Sequence, residues 1–225
     1  MEKREITPVA IIHSDFKEKF GIPRNSGRSP SSKAIIELLP PFNVPESVKE
    51  LSSFSHVWLL FDFSLVHTNT FSPTVRPPRL GGNERVGVFA SRSPFRPNNI
   101  GLSVVKLEKV DTTNGIKLTV LGADLLDGTP IYDIKPYIPF ADCITNAVGG
   151  YADNYSDHKL KVVFPENLLT LIPCDKQKAL IECLEDDPRP SYQNDERIYG
   201  MAFDKFNVKF TISNNTLSVI EIENL

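Results

Sequence analysis

Leu102-Ser103-Val104-Val105-Lys106-Leu107-Glu108-Lys109-Val110 is a short apolar segment that ends at polar, turn-forming residues. Segments of this kind recur along the chain and decide its predicted fold. A second such segment, residues 115–121, begins at the pair Asn114-Gly115. This pair favours a two-residue loop between antiparallel strands. We therefore predict a β-hairpin with strands at 102–110 and 115–121.

Other short segments in the first two-thirds of the chain have the same character. We predict strands at 6–12, 33–39 and 56–63, a short apolar run at 86–90 and one short helix at 46–51. The run at 56–63 carries the only tryptophan, Trp58, and its apolar character predicts a strand buried on both faces. Many short strands at this spacing are typical of a β-barrel or a β-sandwich.

The pattern changes after about residue 150. We predict a polar loop at 151–157, a strand at 159–164 and, from the helical spacing of apolar residues, a helix at 176–185 that stops before Pro188. Strict alternation at 206–212 and the pair Asn214-Asn215 predict two final strands joined by a turn. The chain is thus predicted to be mainly β, with a β-barrel-like domain at residues 1–150 and a small α+β domain at 151–225.

Composition excludes several classes of protein. The 225 residues carry a net charge of −3, so any contact with nucleic acid requires a local basic patch. The three cysteines, Cys143, Cys174 and Cys183, are too scattered for a disulfide framework, and the four histidines are isolated, so we expect no metal site. Each histidine is expected to be a packing or surface residue rather than a catalytic base.

The sequence also predicts a location. No apolar stretch of signal-peptide length follows the charged residues 1–5. No run of about eighteen apolar residues occurs, so we expect no membrane span. With cysteine usage of this kind, a reducing, cytoplasmic setting is expected.

The loop at 91–103 carries unusual chemistry, with two arginines, two prolines and two asparagines. Prolines fix φ and stiffen the loop, and a stiff loop with guanidinium groups is suited to holding an anion or a polar ligand. A structural turn with two surface arginines is the alternative. Residues 76–96 contain one acid, Glu84, and five arginines: Arg76, Arg79, Arg85, Arg92 and Arg96. This excess of positive charge indicates a site that recognises phosphate or carboxylate. The alternative is a solvated loop with charges at its rim.

Three further motifs are candidates for a site. The first is the turn at 122–130, where Gly122 allows a ligand to approach the backbone closely. Asp124 and Asp127 in this turn can accept hydrogen bonds from a ligand. The alternative is an ordinary turn, because turns between strands often have this composition. Asp133 and Lys135 point to the same side of a strand, as part of a site or as a surface ion pair. Prolines on both sides hold Arg189 in an extended loop.

No nucleophile elbow, phosphate-binding loop or dinucleotide-binding glycine fingerprint occurs. Taken alone, the residues predict a β-rich cytoplasmic domain with a rigid, arginine-lined site for a polar anionic ligand.

Seven motifs in one order resemble the TsaA/TrmO family of S-adenosylmethionine-dependent tRNA methyltransferases. These motifs are Phe16-Lys17-Glu18-Lys19-Phe20-Gly21-Ile22-Pro23-Arg24, Arg76-Pro77-Pro78-Arg79-Leu80-Gly81-Gly82, Val86-Gly87-Val88-Phe89-Ala90-Ser91-Arg92-Ser93, Phe95-Arg96-Pro97-Asn98, Asp127-Gly128-Thr129-Pro130, Asp133-Ile134-Lys135-Pro136-Tyr137 and Asp187-Pro188-Arg189-Pro190. The resemblance implies a β-barrel core, a homodimer, and methylation of N6 of N6-threonylcarbamoyladenosine beside the anticodon. Asn99 stands where a proline is common in the family, which is expected to loosen that loop slightly.

The resemblance also implies which residues contact the cofactor: Arg24, Asn25, Ser26, Ser64, Leu65, Arg92, Leu102, Gly122, Ala123, Asp124 and Leu125. The acceptor nitrogen is urea-like and a poor nucleophile, so we expect Asp133 or Asp124 to act as a base. We expect Arg189 or Arg96 to pair with the threonine carboxylate. The RNA-contacting set is completed by Arg76, Arg79, Lys135 and Tyr192, with the arginines on phosphates of the tRNA anticodon arm.

Two other functions compete with this hypothesis. One is a methyltransferase of the same fold that acts on another RNA or a small molecule. The other is a non-catalytic RNA-binding module that keeps the pocket for structure. Binding of S-adenosylmethionine separates both methyltransferases from the binding module.

Overall fold

The computed structural model describes residues 2, 4–67, 70–80, 84–155, 159–189 and 197–225, without the side chains of Arg79 and Tyr155. The strands are β1 (Ala10–His13), β2 (Lys33–Leu38), β3 (His56–Asp62), β4 (Thr74–Val75), β5 (Val86–Gly87), β6 (Ile100–Asp111), β7 (Lys117–Leu121), β8 (Pro130–Pro136), β9 (Lys161–Val163), β10 (Tyr199–Phe203), β11 (Phe206–Ser213) and β12 (Thr216–Asn224). The α-helices are α1 (Pro139–Asp142), α2 (Glu166–Leu169) and α3 (Cys174–Glu185), and shorter helical turns lie at Pro45–Val48, Leu51–Ser53, Pro78–Leu80, Val88–Ala90 and Gly150–Tyr155.

Six strands close into an antiparallel barrel in the order β1-β2-β7-β6-β3-β8, and β8 pairs back onto β1. Alternate residues of each strand point inward because side chains in a strand alternate between its two faces. The interior is filled by branched apolar side chains such as Ile12, Ile36, Leu59, Leu118 and Ile131. Each such buried side chain contributes about 1.5–3 kcal/mol, so this interior holds the barrel together. The mainly β prediction with a barrel is confirmed.

Strand β3 shows why one prediction is wrong. Val57, Leu59 and Phe61 are buried inside the barrel, but Trp58 and Leu60 are only half-buried on its outer face. The segment is therefore not buried on both faces, because a closed barrel lines its core with one face of each strand.

Three local predictions are also corrected. The loop between β6 and β7 has five residues, 112–116, since the last pair is Asp111 with Lys117. Residues 46–51 form no single helix, because Glu50 adopts a left-handed φ of 64° between two short helical turns. Strand β1 starts at Ala10 rather than at residue 6, and Pro8 has no N–H to extend the ladder.

The second layer is a four-stranded sheet in the order β10-β11-β12-β9 covered by α3. Helix α3 places Ala179, Leu180, Cys183 and Leu184 in the core of this sheet, as their helical spacing predicts. Asn214 and Asn215 form the predicted turn, with φ values of 48° and 61° between the paired residues Ser213 and Thr216.

Residues 15–32 connect the barrel to the second sheet. Phe16 is buried in the core of the sheet and bridges to Phe203, and Phe20 and Ile22 pack against the same core. Lys176 Nζ lies 2.6 Å from Asp15 Oδ1 and 3.1 Å from Asp204 Oδ2. The N-terminal loop is thus fixed by residues far away in sequence, and a domain boundary at residue 150 stays a prediction.

Candidate functional site

A cavity of about 1650 Å³ lies where the loops after β1, β3 and β5 meet. Its described lining includes six cationic side chains and no carboxylate: Lys19, Arg24, Arg76, Arg85, Arg92 and Arg96. Four of the five arginines predicted as a basic cluster are therefore brought together, and the side chain of Arg79 lies outside the described residues. An excess of positive charge on the described lining of a cavity favours an anionic ligand.

The loop that carries Arg92 and Arg96 is rigid, as its composition predicts. Ser91 Oγ donates to the Val88 carbonyl at 2.9 Å, and Arg96 Nη1 donates to the carbonyls of Ser91 and Ser93 at 3.2 and 3.3 Å. Asn99 Nδ2 donates to the carbonyl of Pro94 at 2.7 Å. Asn99 thus cross-links the loop through its side chain, and the slight loosening expected from the loss of a proline stays a prediction.

Three exposed phenylalanines line the same cavity, Phe71, Phe89 and Phe95. Exposed aromatic rings beside cationic groups are the usual surface on which unpaired bases stack. The sequence analysis did not single out these three residues. Phe89 and Phe95 could have been found from their position between the arginines of residues 76–96.

A second group of predicted residues meets at the end of β7. Gly122 has a φ of +77°, and a Cβ there would lie 3.4 Å from the backbone of Gly27. The Gly27 N–H donates to the Gly122 carbonyl at 2.8 Å, which brings the loop containing Arg24, Asn25 and Ser26 against this turn. The absence of a side chain at Gly122 therefore lets the two backbone segments touch.

Asp124 occupies the centre of this junction. Burial raises the pKa of its carboxyl, against the opposing effect of hydrogen bonds from the Ser103 side chain and the backbone of Ser26, and of the nearby charge of Arg92. Its Oδ1 is buried without a hydrogen-bond partner among the described residues. A buried acceptor of this kind calls for a donor from a ligand. Ala123 and Leu125 are buried in the barrel core, so only their backbone can contact a ligand.

The remaining predicted cofactor contacts lie on the outer face of the barrel. Leu102 is exposed on β6, and Ser64 and Leu65 form the exposed turn after β3. Lys19 Nζ donates to the Leu65 carbonyl at 3.2 Å, and Lys19 itself lines the cavity. This contact places the turn after β3 beside the cavity.

Other predicted residues have partners within the chain. Arg189 makes a bidentate pair with Asp187, with Nε at 3.0 Å from Oδ1 and Nη2 at 3.1 Å from Oδ2. Asp133 and Lys135 form an exposed ion pair at 2.7 Å on the outer face of the barrel and do not line the cavity. Tyr192 lies outside the described residues. The roles expected for these residues stay predictions.

The described part of the chain shows neither a membrane-spanning helix nor a metal-binding cluster. No helix there has both the length and the apolar character needed to cross a bilayer. No group of three or more His, Cys, Asp or Glu side chains is placed to hold a metal ion.

The fold and cavity define a class of protein, a closed antiparallel barrel whose cationic and aromatic loops surround a ligand site. The family model of the tRNA-methyltransferase O N-terminal domain matches residues 11–143, and that of the TrmO C-terminal domain matches residues 157–225. The chain belongs to the tRNA-methyltransferase O family.

Individual relatives agree with this assignment. The chain is 40% identical to the tRNA (adenine(37)-N6)-methyltransferase of Escherichia coli K12 over 233 residues, 99% of each chain. It is 42% identical over 206 residues, 87% of each chain, to a Pseudomonas aeruginosa protein named for S-adenosylmethionine-dependent methyltransferase activity. The crystal structure of TrmO from P. aeruginosa superimposes with a TM-score of 0.82 at 33% identity, covering 100% of this chain and 99% of that one.

Proposed function

We propose that this protein is an S-adenosylmethionine-dependent methyltransferase that methylates N6 of adenine 37 in tRNA. One observation carries the proposal: in a chain of this family, six cationic side chains and three exposed phenylalanines line a cavity beside the junction of Ser26, Arg92 and Asp124. Phosphates and unpaired bases of an anticodon loop match that lining in charge and shape.

The residues at the junction fit S-adenosylmethionine. The cofactor carries ribose hydroxyls and an ammonium group, and either can donate to the orphaned Oδ1 of Asp124. The backbone at residues 24–26 and 122–125 would hold it, with Arg92 beside Asp124. When bound, the cofactor supplies an electrophilic methyl group on a sulfonium. Alignment of the acceptor with that methyl group is then the main task of the protein.

The acceptor we propose is N6-threonylcarbamoyladenosine. Its threonine carboxylate needs a guanidinium partner. Arg96 fits this role better than Arg189, because hydrogen bonds to the Ser91 and Ser93 carbonyls fix Arg96 at the cavity, whereas Arg189 already pairs with Asp187. We assign Arg76 and Arg85, which also line the cavity, to contacts with phosphates of the anticodon arm.

The proposal includes a cytoplasmic homodimer. Exposed apolar side chains support the dimer, since Leu65, Ile100 and Leu102 share the outer face of the barrel and its adjoining turn. Light scattering of the purified protein tests this part, and a monomer at all concentrations would refute it.

The test of the main proposal uses two tRNA pools, one with the threonylcarbamoyl group and one without it. Each is incubated with the protein and S-adenosylmethionine, digested and analysed by mass spectrometry of nucleosides. Gain of one methyl group on the modified adenosine alone is the expected result. Methylation of both pools would overturn the proposed acceptor, and methylation of neither would overturn the proposed reaction.

A further inference from the structure

A histidine, a carboxylate and a phenol meet at the end of β3, outside the junction described above. His67 Nε2 lies 2.8 Å from Asp62 Oδ1 and 3.0 Å from Oδ2. The Asp62 side chain is only 11% exposed, whereas that of His67 is 59% exposed. Tyr132 lies on the neighbouring strand β8, and burial together with the nearby charge of Asp62 raises the pKa of its phenol, so the phenol lies beside the same carboxylate.

The contacts fix the proton positions on the imidazole ring. A carboxylate accepts hydrogen bonds, so Nε2 of His67 is the protonated nitrogen that donates to Asp62. In the neutral ring Nδ1 then carries a lone pair and can accept a proton. Asp62 thereby sets the tautomer and stabilises the cation that forms when Nδ1 is protonated, as in other carboxylate–histidine pairs.

The pair lies beside the predicted cofactor contacts. In the pairing of β3 with β6, Asp62 lies opposite Ile100 and Leu60 lies opposite Leu102. Residues two apart on a strand point to the same face, so Asp62 and Leu102 share the outer face of the barrel. Ser64 and Leu65 lie between Asp62 and His67 in the chain.

Two hydrogen bonds tie the same turn to the cavity. Asn99 Nδ2 donates to the carbonyls of Val66 and Pro94 at 3.4 and 2.7 Å, and Pro94 lines the cavity. Lys19 holds the Leu65 carbonyl from the other side. The described titratable and charged groups around the His67 turn are thus Asp62 from β3, Tyr132 from β8 and Lys19 from the N-terminal loop.

We infer that His67 is the proton acceptor of the methyl transfer, with Asp62 and Tyr132 as positioning residues; this inference rests on the proposed function. The N6–H bond of the acceptor breaks and its proton moves to Nδ1 of His67. The N6 lone pair forms a bond to the methyl carbon, the carbon–sulfur bond breaks, and its electron pair stays on sulfur. The proton later passes to solvent, to which His67 is open.

This assignment differs from the two carboxylates that the sequence suggested. Asp133 is paired with Lys135 at 2.7 Å and does not line the cavity. Asp124 is buried at the junction, where it is needed as an acceptor for the cofactor. The imidazole of His67 is exposed and is oriented by the buried carboxylate of Asp62, so its geometry is suited to accepting a proton from a bound acceptor.

The test compares His67→Ala, Asp62→Asn and Tyr132→Phe in single-turnover methylation of the modified tRNA. His13→Gln is the matched control, since His13 is also exposed and lies 3.4 Å from a carboxylate, Glu37, on the barrel. We expect His67→Ala to slow the reaction roughly 100-fold while binding of S-adenosylmethionine is unchanged. We expect added imidazole to restore part of that rate, and His13→Gln to react like the wild-type protein.

The positioning residues have their own readout. Asp62→Asn should lower kcat with little change in KM, and Asp62→Glu should recover part of the loss, because the carboxylate influences the reaction through His67 and does not contact the substrate. A His67→Ala rate within threefold of wild type, with no response to imidazole, would overturn the inference and leave the proposed function intact. No methylation by the wild-type protein would overturn both.

Discussion

Asp186, directly after helix α3, accepts a hydrogen bond of 2.6 Å from Nε of Arg28, in the loop between β1 and β2. The Asp186 side chain is 4% exposed and that of Arg28 is 21% exposed. Asp186 Oδ2 also accepts from the backbone N–H of Arg24 at 3.3 Å. One carboxylate, directly after helix α3, therefore holds the loop that carries three of the predicted cofactor contacts, Arg24, Asn25 and Ser26.

Removing this carboxylate should destabilise the protein and weaken cofactor binding together. Asp186→Asn removes a buried charge that contacts both the Arg28 guanidinium and the Arg24 N–H, and we expect a loss of about 3 kcal/mol in the free energy of unfolding. Urea denaturation measures this loss, and calorimetry measures the affinity for S-adenosylmethionine. The control is Glu108→Gln, which removes an exposed pair with Lys33 at 3.0 Å and should cost about 0.5 kcal/mol without affecting binding.

A side chain at Gly122 should separate the two backbone segments of the junction. Gly122→Ala places a Cβ 3.4 Å from Gly27 at a φ of +77°. Gly115→Ala is a matched control, because Gly115 has a φ of +78° with open space around it, in the loop between β6 and β7. Both variants should lose about 1–2 kcal/mol from the left-handed backbone. Only Gly122→Ala should also weaken binding of S-adenosylmethionine, and equal binding by the two variants would contradict the role of the close contact.

Asp124 and Asp127 should respond to pH in opposite ways. Burial raises the pKa of Asp124, so its ionisation at neutral pH costs stability. Asp124→Asn should therefore stabilise the ligand-free protein at neutral pH, and this gain should vanish as the pH falls and the wild-type carboxyl protonates. The same variant should bind S-adenosylmethionine more weakly.

Partial burial raises the pKa of Asp127, but hydrogen bonds from Lys17 and the Ser14 N–H overcome that effect, and its pKa is lowered. The stability that this carboxylate contributes is present above its unfolded-state pKa and is lost as the pH falls through the lower folded-state value. Asp127→Asn should therefore destabilise the protein at neutral pH and match the wild type in acid. Thermal unfolding across the acid range measures both variants, and shifts of the same sign would contradict the assignment.

Arg76 should contribute to tRNA binding through charge alone. Replacing it with glutamine removes one cationic group from the cavity lining. The plot of log K against log salt concentration should become shallower by about 1, with no change in the preference for modified tRNA. Lys33→Gln is the control that should leave the slope unchanged, because Lys33 is paired with Glu108 and does not line the cavity. An unaltered slope for Arg76→Gln would remove it from the phosphate contacts.

Local sequence patterns predicted those parts of the fold whose cause is local. Alternation predicted β11, and helical spacing predicted the face of α3 that packs on the sheet. The pair Asn114-Gly115 predicted a two-residue loop, and the loop has five residues. Asp111 accepts hydrogen bonds from the N–H and the Oγ1 hydroxyl of Thr113, so the turn starts earlier.

The candidate site was predicted only in part, for a physical reason. The arginines of residues 76–96 lie close together in the chain, so composition was enough to find them. Contacts such as Arg28 with Asp186 join residues 158 apart, and no local pattern reports them. The pairing of Asp62 with His67 depends on the turn after β3 folding back onto the strand, which periodicity does not describe.

The packing of Phe16 into the core of the second sheet has a consequence for how the protein is made. The anchor for this early segment is built from strands β10 to β12, which leave the ribosome after all the barrel strands. The barrel strands are complete by residue 136, yet the loop at 24–28 gains its partners only when helix α3 and the final sheet have formed. A chain that ends after the barrel therefore lacks the contacts that hold the loop at 24–28, and the binding site is completed only after α3 and the second sheet have been synthesised.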